Sequence, residues 1–281
     1  MELLKGAPAA KAITEQLKET VAGMDCPPKL AFVRIGEDPG DLSYENSAKK
    51  RMDKIGITYE TYAFPADIDN ESFLRELAKI NADDSVDGIL LFRPLPKQID
   101  SIRAAKTISP EKDMDGFHPD NLERLFEGKD CVAPCTPQAV MEILKHYGIS
   151  VSGKRTVVVG RSMVLGRPLS MMLLSENATV TICHSKTQDL PEVCREADIL
   201  IAAVGHAGLI TKEYVKEGAV VVDVGINVMP DGSVKGDVDA DSVTEQAGFL
   251  TPVPGGVGTV TTSVLAKHVT EACLKRRAQN G

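Results

Sequence analysis

The chain has 281 residues, more than one hydrophobic core usually spans, so two domains are expected. Its composition, 43% hydrophobic and 26% charged, is that of a globular protein. A formal net charge of −8 argues against nucleic acid or an anionic membrane as the main partner, so any anion it binds must be held by local positive groups.

The opening residues, Met1-Glu2-Leu3-Leu4-Lys5-Gly6, lack an apolar signal region, and no apolar run approaches the length of a membrane span. A cytosolic location without membrane association is therefore expected. Residues 7 to 23 read as an amphipathic helix with Ala12, Ile13, Leu17 and Val21 along one side. Leu30 to Ile35 is a strand, residues 36 to 41 a turn, and Ser43 to Ile55 a helix stopped by Gly56. Thr58 to Phe64 alternates as a second strand, residues 70 to 81 form a helix, and Val86 to Phe92 is a third strand leaving through Arg93-Pro94-Leu95-Pro96. Strands alternating with helices imply a parallel sheet whose ligands gather outside the strands' carboxyl ends. Tyr44, Phe92, Arg93 and Asp115 are expected just past such ends.

A helix near 98 to 106 leads to the polar loop Ser109 to Pro119, whose length suggests function. Pro134-Cys135-Thr136-Pro137 opens a helix over Gln138 to Tyr147 that bridges to the second domain. The six cysteines (Cys26, Cys131, Cys135, Cys183, Cys194 and Cys273) fall at predicted core and helix positions and suit reduced thiols. Cys131 and Cys135 have no second pair or histidine cluster nearby, so no metal site is expected.

The stretch from Lys154 to Thr187 reads as strand, glycine turn, helix, strand. A βαβ unit of this length lets a nucleotide's phosphates rest on a helix N-terminus, whose unpaired N–H groups and dipole favour anions. Gly160 and Gly166 are spaced differently from the usual dinucleotide fingerprint. After the second strand stands His184-Ser185-Lys186, with no carboxylate for a ribose 2′-hydroxyl. With Arg161 in the turn, this favours NADP over NAD. Three further strands, Ile199 to Val204, Ala219 to Val224 and Phe249 to Thr251, end in glycines that include Gly205, where a cofactor's approach to the backbone would be close. Thr259 to about Arg277 is helical and expected to return to the first domain.

Seven segments together resemble the methylenetetrahydrofolate dehydrogenase/cyclohydrolase family of FolD type, in order along nearly the whole chain. They are Asp87-Gly88-Ile89-Leu90 with Pro94-Leu95-Pro96; Lys112-Asp113-Met114-Asp115-Gly116; Pro134-Cys135-Thr136-Pro137; Val159-Gly160-Arg161-Ser162; Cys183-His184-Ser185-Lys186-Thr187; Val222-Asp223-Val224-Gly225-Ile226-Asn227; and Pro252-Val253-Pro254-Gly255-Gly256-Val257-Gly258. The resemblance implies a two-domain α/β homodimer: residues 1–137, joined by the helix 259–281, as a folate-binding catalytic domain, and 138–258 as a Rossmann-type NAD(P)-binding domain. The folate cleft is expected between them.

The implied chemistry is oxidation of 5,10-methylenetetrahydrofolate by NADP, followed in bifunctional members by hydrolysis of the methenyl product to 10-formyltetrahydrofolate. By resemblance, Gly160, Arg161 and Ser162 hold cofactor phosphates, Ser185 beside His184 meets the 2′-phosphate, and Thr136 and Ile226 flank the nicotinamide, with Gly205 nearby. Asp115 grips the pterin, Tyr44 packs on the folate, and Leu91, Phe92, Pro254, Gly255 and Gly256 line the substrate. A carboxylate suits a pterin, because the amino group and ring N–H are adjacent donors that it accepts together.

The sequence departs from the family at the hydrolytic residues. Bifunctional members carry lysine four residues after the tyrosine and glutamine after the strand; here these are Ala48 and Phe92, and Arg93 follows. Lys49 and Lys50 point away from Tyr44 at about 100° per helical residue, whereas Arg51 faces its side. Arg51 and Arg93 are the candidate charges for a rebuilt site, although a guanidinium cannot act as a base. The dehydrogenase is expected to be intact and the cyclohydrolase weak, absent or rebuilt. Thr259-Val260 replaces the usual proline and methionine and is expected to alter that loop slightly. A shikimate- or amino-acid-dehydrogenase-like enzyme would explain the nucleotide half alone, and a non-catalytic folate or nucleotide sensor would bind both ligands without turnover.

Overall fold

The computed structural model describes residues 1–280. The chain runs β1 (Glu2–Leu3), α1 (Gly6–Ala22), β2 (Lys29–Ile35), α2 (Pro39–Ile55), β3 (Thr58–Phe64), α3 (Asn70–Ala82), β4 (Gly88–Leu91), α4 (Ser101–Thr107), α5 (Pro119–Phe126) and α6 (Cys135–His146). It continues through β5 (Arg155–Val159), α7 (Gly166–Ser175), β6 (Thr179–Cys183), α8 (Leu190–Arg195), β7 (Ile199–Ala202), β8 (Val220–Asp223), β9 (Asn227–Val228), β10 (Val234–Lys235), α9 (Ala240–Val243), β11 (Phe249–Leu250) and α10 (Thr261–Asn280). Two compact units result: one of Lys11–Cys135 with the chain from Thr262 onward, the other of Met1–Ala10 with Thr136–Thr261.

The first unit is built on a parallel sheet of order β3-β2-β4. β2 reads Lys-Leu-Ala-Phe-Val-Arg-Ile, and its Leu30, Ala31, Phe32 and Val33 are wholly buried, as a central strand covered on both faces requires. Phe73, Leu77 and Ile80 of α3 pack on one face with Ile89 and Leu91 of β4. Caps explain the helix limits. The Asp38 side chain accepts from the N–H groups of Gly40 and Asp41, Pro39 occupies the first turn, and Gly56 ends α2 at φ 92°. α2 therefore begins four residues before the expected Ser43, with Tyr44 inside the helix as expected. In α10, Arg276 donates to the carbonyls of Val86 and Asp84 and lies 3.4 Å from Asp87, which ties the helix to this unit.

The second unit contains a six-stranded, all-parallel sheet of order β1-β11-β8-β7-β5-β6. β6 lies on one side of β5 and β7 on the other, so the strand order reverses between β5 and β7. A ligand crevice opens at the carboxyl ends of such a pair, here at Gly160 and at Ala203–Gly205. The core is aliphatic: Val157, Val159, Leu200, Ala202, Val221 and Leu250 are buried together. The first residues join this unit because Glu2 and Leu3 pair with Phe249 and Leu250 and extend the sheet edge. Two backbone hydrogen bonds could not be foreseen locally: Leu4 N–H to Leu250 O and Gly6 N–H to Gly255 O.

Candidate functional site

In the second unit, β5 delivers the chain into Gly160 at φ 141°. A Cβ there would collide with the carbonyl of Ala203, and one at Gly166 with the carbonyl of Gly160. Glycine at both positions thus lets the turn, the neighbouring strand and the start of α7 converge at backbone contact. α7 begins at Gly166 with no side-chain cap at Leu165; Arg167 N–H donates to Ser162 O and Pro168 has no N–H, so Gly166 N–H is the helix-start donor left for an anion. Ser162 Oγ accepts from Leu165 N–H and orders the turn, while Arg161 is exposed and forms no ion pair among the described residues.

After β6, His184 N–H donates to Thr187 Oγ1 and His184 Nδ1 accepts from Lys186 N–H. This closes a tight turn that leaves Ser185 and Lys186 exposed. A hydroxyl, an ammonium and a guanidinium therefore surround the two turns, and these residues fit a phosphorylated ribose.

Two buried aspartates shape the remaining loops of this unit. The fully buried Asp237 carboxylate accepts from the N–H groups of Val204 at 2.6 Å, Gly205 at 3.0 Å and His206 at 3.0 Å, and from Asn227 Nδ2 at 2.9 Å. Asp223 accepts from the N–H groups of Gly225, Asp237 and Val238, each at 2.9 Å. Burial pushes Asp223 up to about 6 against those bonds. A recess of about 300 Å³ opens beside them, lined by Asp223–Ile226, Val234 and Pro252–Thr259. Ile226 is 65% exposed, and Pro254 and Gly255 stand at the surface while Gly256 is buried. Thr136, in the first turn of α6, is half-buried.

In the first unit, the loop after α4 returns to the sheet: Ile89 donates to Lys112 O and Met114 donates back to Ile89 O. Asp113 is buried and accepts from His118 N–H at 2.6 Å, so it is a structural carboxylate. Two residues on, Asp115 Oδ1 accepts from Cys135 N–H at 3.1 Å, and Oδ2 lies 4.0 Å from Arg93 Nη2. Burial pushes Asp115 up to about 6; the Cys135 N–H and the Arg93 charge hold it lower than burial alone would. Arg93 lies directly over the Phe117 ring, and burial brings its guanidinium down to about 10. Asp115 thus keeps acceptor sites for a ligand beside a planar cation.

On α2, Tyr44 packs edge-on against Phe92, with ring centroids 6.2 Å apart, and Phe92 meets Phe32 at 6.3 Å. Ala48, one turn beyond Tyr44, is wholly buried, as is nearly all of Phe92. Leu91 precedes it in the buried end of β4. Lys49 is bound elsewhere: its ammonium is 2.6 Å from Glu45 and lies beside the Phe32 and Tyr59 rings. Glu45, itself buried, also meets Arg34 at 3.1 Å and accepts from Thr61 at 2.7 Å. Arg51 donates to Thr14 Oγ1 at 2.8 Å and approaches Thr262 Oγ1 at 3.5 Å. The structure therefore brings Arg93 to Asp115 and gives Arg51 other partners, on α1 and α10. Among the described residues, no group of three His, Cys, Asp or Glu side chains is arranged to hold a metal, and no helix is long and apolar enough to cross a membrane.

Phe117, the Cys135 N–H and Asp237 were not singled out by sequence. Phe117 follows the Lys-Asp-Met-Asp-Gly segment and Cys135 lies in Pro-Cys-Thr-Pro, whereas no marked segment contains Asp237; only folding shows what each holds.

A parallel sheet with a glycine turn at its switch point, a helix start without a side-chain cap and no carboxylate after β6 defines a dinucleotide-binding α/β protein, accompanied by a second α/β unit in which the partly exposed Asp115 carboxylate stands beside Arg93. The chain belongs to the tetrahydrofolate dehydrogenase/cyclohydrolase family: residues 4–115 match its catalytic domain and residues 134–277 its NAD(P)-binding domain. It is 52% identical over 275 residues to the bifunctional protein FolD of Clostridium kluyveri, covering 96% of this chain and 97% of that one. Among solved structures, the FolD methylenetetrahydrofolate dehydrogenase/cyclohydrolase of Campylobacter jejuni superposes with a TM-score of 0.95 at 39% identity, covering 98% and 99% of the two chains. The Trypanosoma brucei methylenetetrahydrofolate dehydrogenase-cyclohydrolase, complexed with NADP and an inhibitor, does so at 0.91 and 35% identity, covering 98% of each.

Proposed function

We propose that the protein oxidises 5,10-methylenetetrahydrofolate to the 5,10-methenyl form with NADP, and that it has little or no cyclohydrolase activity. The observation that carries the reading is Asp115, a carboxylate with one oxygen on the Cys135 N–H and the other open beside Arg93, in the unit matched to the family's catalytic domain. Ionised, it accepts the pterin's adjacent amino and ring N–H donors. Tyr44 and Phe92 offer ring surface to the folate. NADP, when bound, supplies the hydride acceptor. Arg161, Ser162, the Gly166 N–H at the start of α7 and Ser185 are the groups we assign to its phosphates, with Gly160 allowing close approach. Gly205, His184, Thr136 and Ile226 complete the cofactor contacts, and Pro254 to Gly256 those of the substrate.

Loss of hydride leaves a cation delocalised over two nitrogens, so this step needs positioning rather than an acid or base. Hydrolysis needs a group that takes up a proton from water or polarises it. Around Tyr44 the positions that supply lysine and glutamine in bifunctional members hold the buried Ala48 and Phe92, and Lys49 is committed to Glu45. Arg93 stays protonated and cannot be that base. Initial rates of NADPH formation from methylenetetrahydrofolate, alongside decay of purified methenyl substrate, test both halves. Fast oxidation with methenyl decay at the uncatalysed rate is expected; absence of oxidation overturns the reading. The family resemblance also supports a homodimer, which sedimentation equilibrium tests.

A further inference from the structure

We propose that His268 is a positioning residue for the folate-binding carboxylate: its Nδ1–H, with the Cys135 thiol, fixes the Met114 carbonyl and so the direction in which Asp115 leaves the chain. The inference rests on the assignment of Asp115 to the pterin. His268 belongs to α10, far from Asp115 in sequence, and is 7% exposed. Its Nδ1 lies 3.0 Å from Met114 O and the Cys135 Sγ 3.3 Å from the same oxygen. A carbonyl oxygen only accepts, so both groups are donors and Nδ1 carries the proton.

The pair is not a nucleophile and its base, although Sγ and Nδ1 are 3.8 Å apart. Both hydrogens point at one carbonyl, and burial followed by the charge of Asp115 raises the thiol well above its ordinary range, keeping it protonated. The 114–115 peptide plane sets the backbone angle from which the Asp115 side chain departs. Its N–H faces the Asp113 carboxylate, and its carbonyl is held by His268 and Cys135. With the carbonyl end released, the plane can rock, and a carboxylate that must meet two donors at once loses alignment.

The two amides at position 268 separate this role from simple packing. The Asn amide nitrogen falls near the Nδ1 position of histidine, whereas that of Gln falls near Nε2. His268→Asn is expected to keep the folate KM within about twofold, and His268→Gln to raise it about tenfold, the loss of one neutral hydrogen bond. NADP KM and melting temperature should be alike in the two variants. Equal folate KM values in the two, or a Gln variant with unaltered KM, overturn the inference; failure of both to fold assigns His268 to the core and overturns it too. Asp115→Ala measured in parallel separates the levels. If it leaves folate KM unchanged, the assignment of Asp115 itself fails; if it abolishes folate binding while His268→Gln does nothing, only the positioning role fails.

Discussion

Arg93 Nη2 lies 4.0 Å from Asp115 Oδ2, and both side chains are a little under one-third exposed. Burial is the largest influence on each, pushing the carboxyl up to about 6 and the guanidinium down to about 10. Their mutual attraction opposes both shifts. On the proposed role of Asp115, only its ionised form accepts both pterin donors, so kcat/KM for methylenetetrahydrofolate should fall on the acid side of about pH 6. Arg93→Leu removes the positive charge, so the inflection should move to higher pH. An unmoved inflection in the pH profile would show that another group controls folate capture.

The same carboxylate opposes folding. Its folded pKa lies above its ordinary value of 3.8, so the fold holds more protons than the unfolded chain between about pH 4 and 6. The resulting stability is complete below that window and is lost as pH rises through about 6. Asp115→Asn keeps an oxygen for the Cys135 N–H and removes the charge. At pH 7 it should be more stable, by roughly 1 kcal/mol after allowing for solvent screening, while losing folate binding. Urea denaturation at pH 7 and pH 5 checks the sign: the gain should shrink at pH 5.

The proposed weakness of hydrolysis rests on Ala48 and Phe92. Ala48→Lys with Phe92→Gln should introduce methenyl hydrolysis, read as decay of the methenyl absorbance, without loss of oxidation. Ala48→Lys alone places an ammonium at a wholly buried position and should lower the melting temperature by several degrees. Wild-type hydrolysis at the rate of dehydrogenation would remove the basis for this prediction.

Arg161 is exposed and without an ion pair among the described residues, in the turn after β5. Arg161→Ala should raise KM for NADP about tenfold, the scale of one charge-assisted contact, while NAD kinetics change less. Parallel titrations with the two cofactors decide it, and equal losses for both would place Arg161 on the shared diphosphate rather than the 2′-phosphate.

Asp237 closes three successive backbone N–H groups after β7. Asp237→Ala removes a buried carboxylate that accepts from these half-buried and exposed donors, and should cost about 2 kcal/mol of stability and weaken NADP binding. Calorimetric melting and cofactor titration measure the two effects; a stable variant with unchanged NADP affinity would show that the loop holds itself.

Periodicity and punctuation determined most of the elements. The αL stop at Gly56, the alternation of β3 and the β-branched run of β5 are local facts, since each rests on the conformational preferences of neighbouring residues. The Gly160 turn was legible for a related reason, since the motif that marks it is a contiguous segment; Asp115 and Tyr44 were marked through the family resemblance. Elements that depend on distant partners were not legible. Two-residue β1 exists because β11 offers it a sheet edge; by contrast the early start of α2 at Asp38 and Pro39 and the β9–β10 pair are local, the first absorbed into the turn read over 36 to 41 and the second too short to announce itself. Helical angle put Arg51 on the Tyr44 side, but its guanidinium went to the hydroxyls of Thr14 and Thr262, on two other helices. Only the tertiary structure decided which charge stands beside Asp115, that Lys49 is taken by Glu45, and that the Met114 carbonyl is held from α10. A long side chain's partner is chosen by distance in space, and the sequence records distance only along the chain.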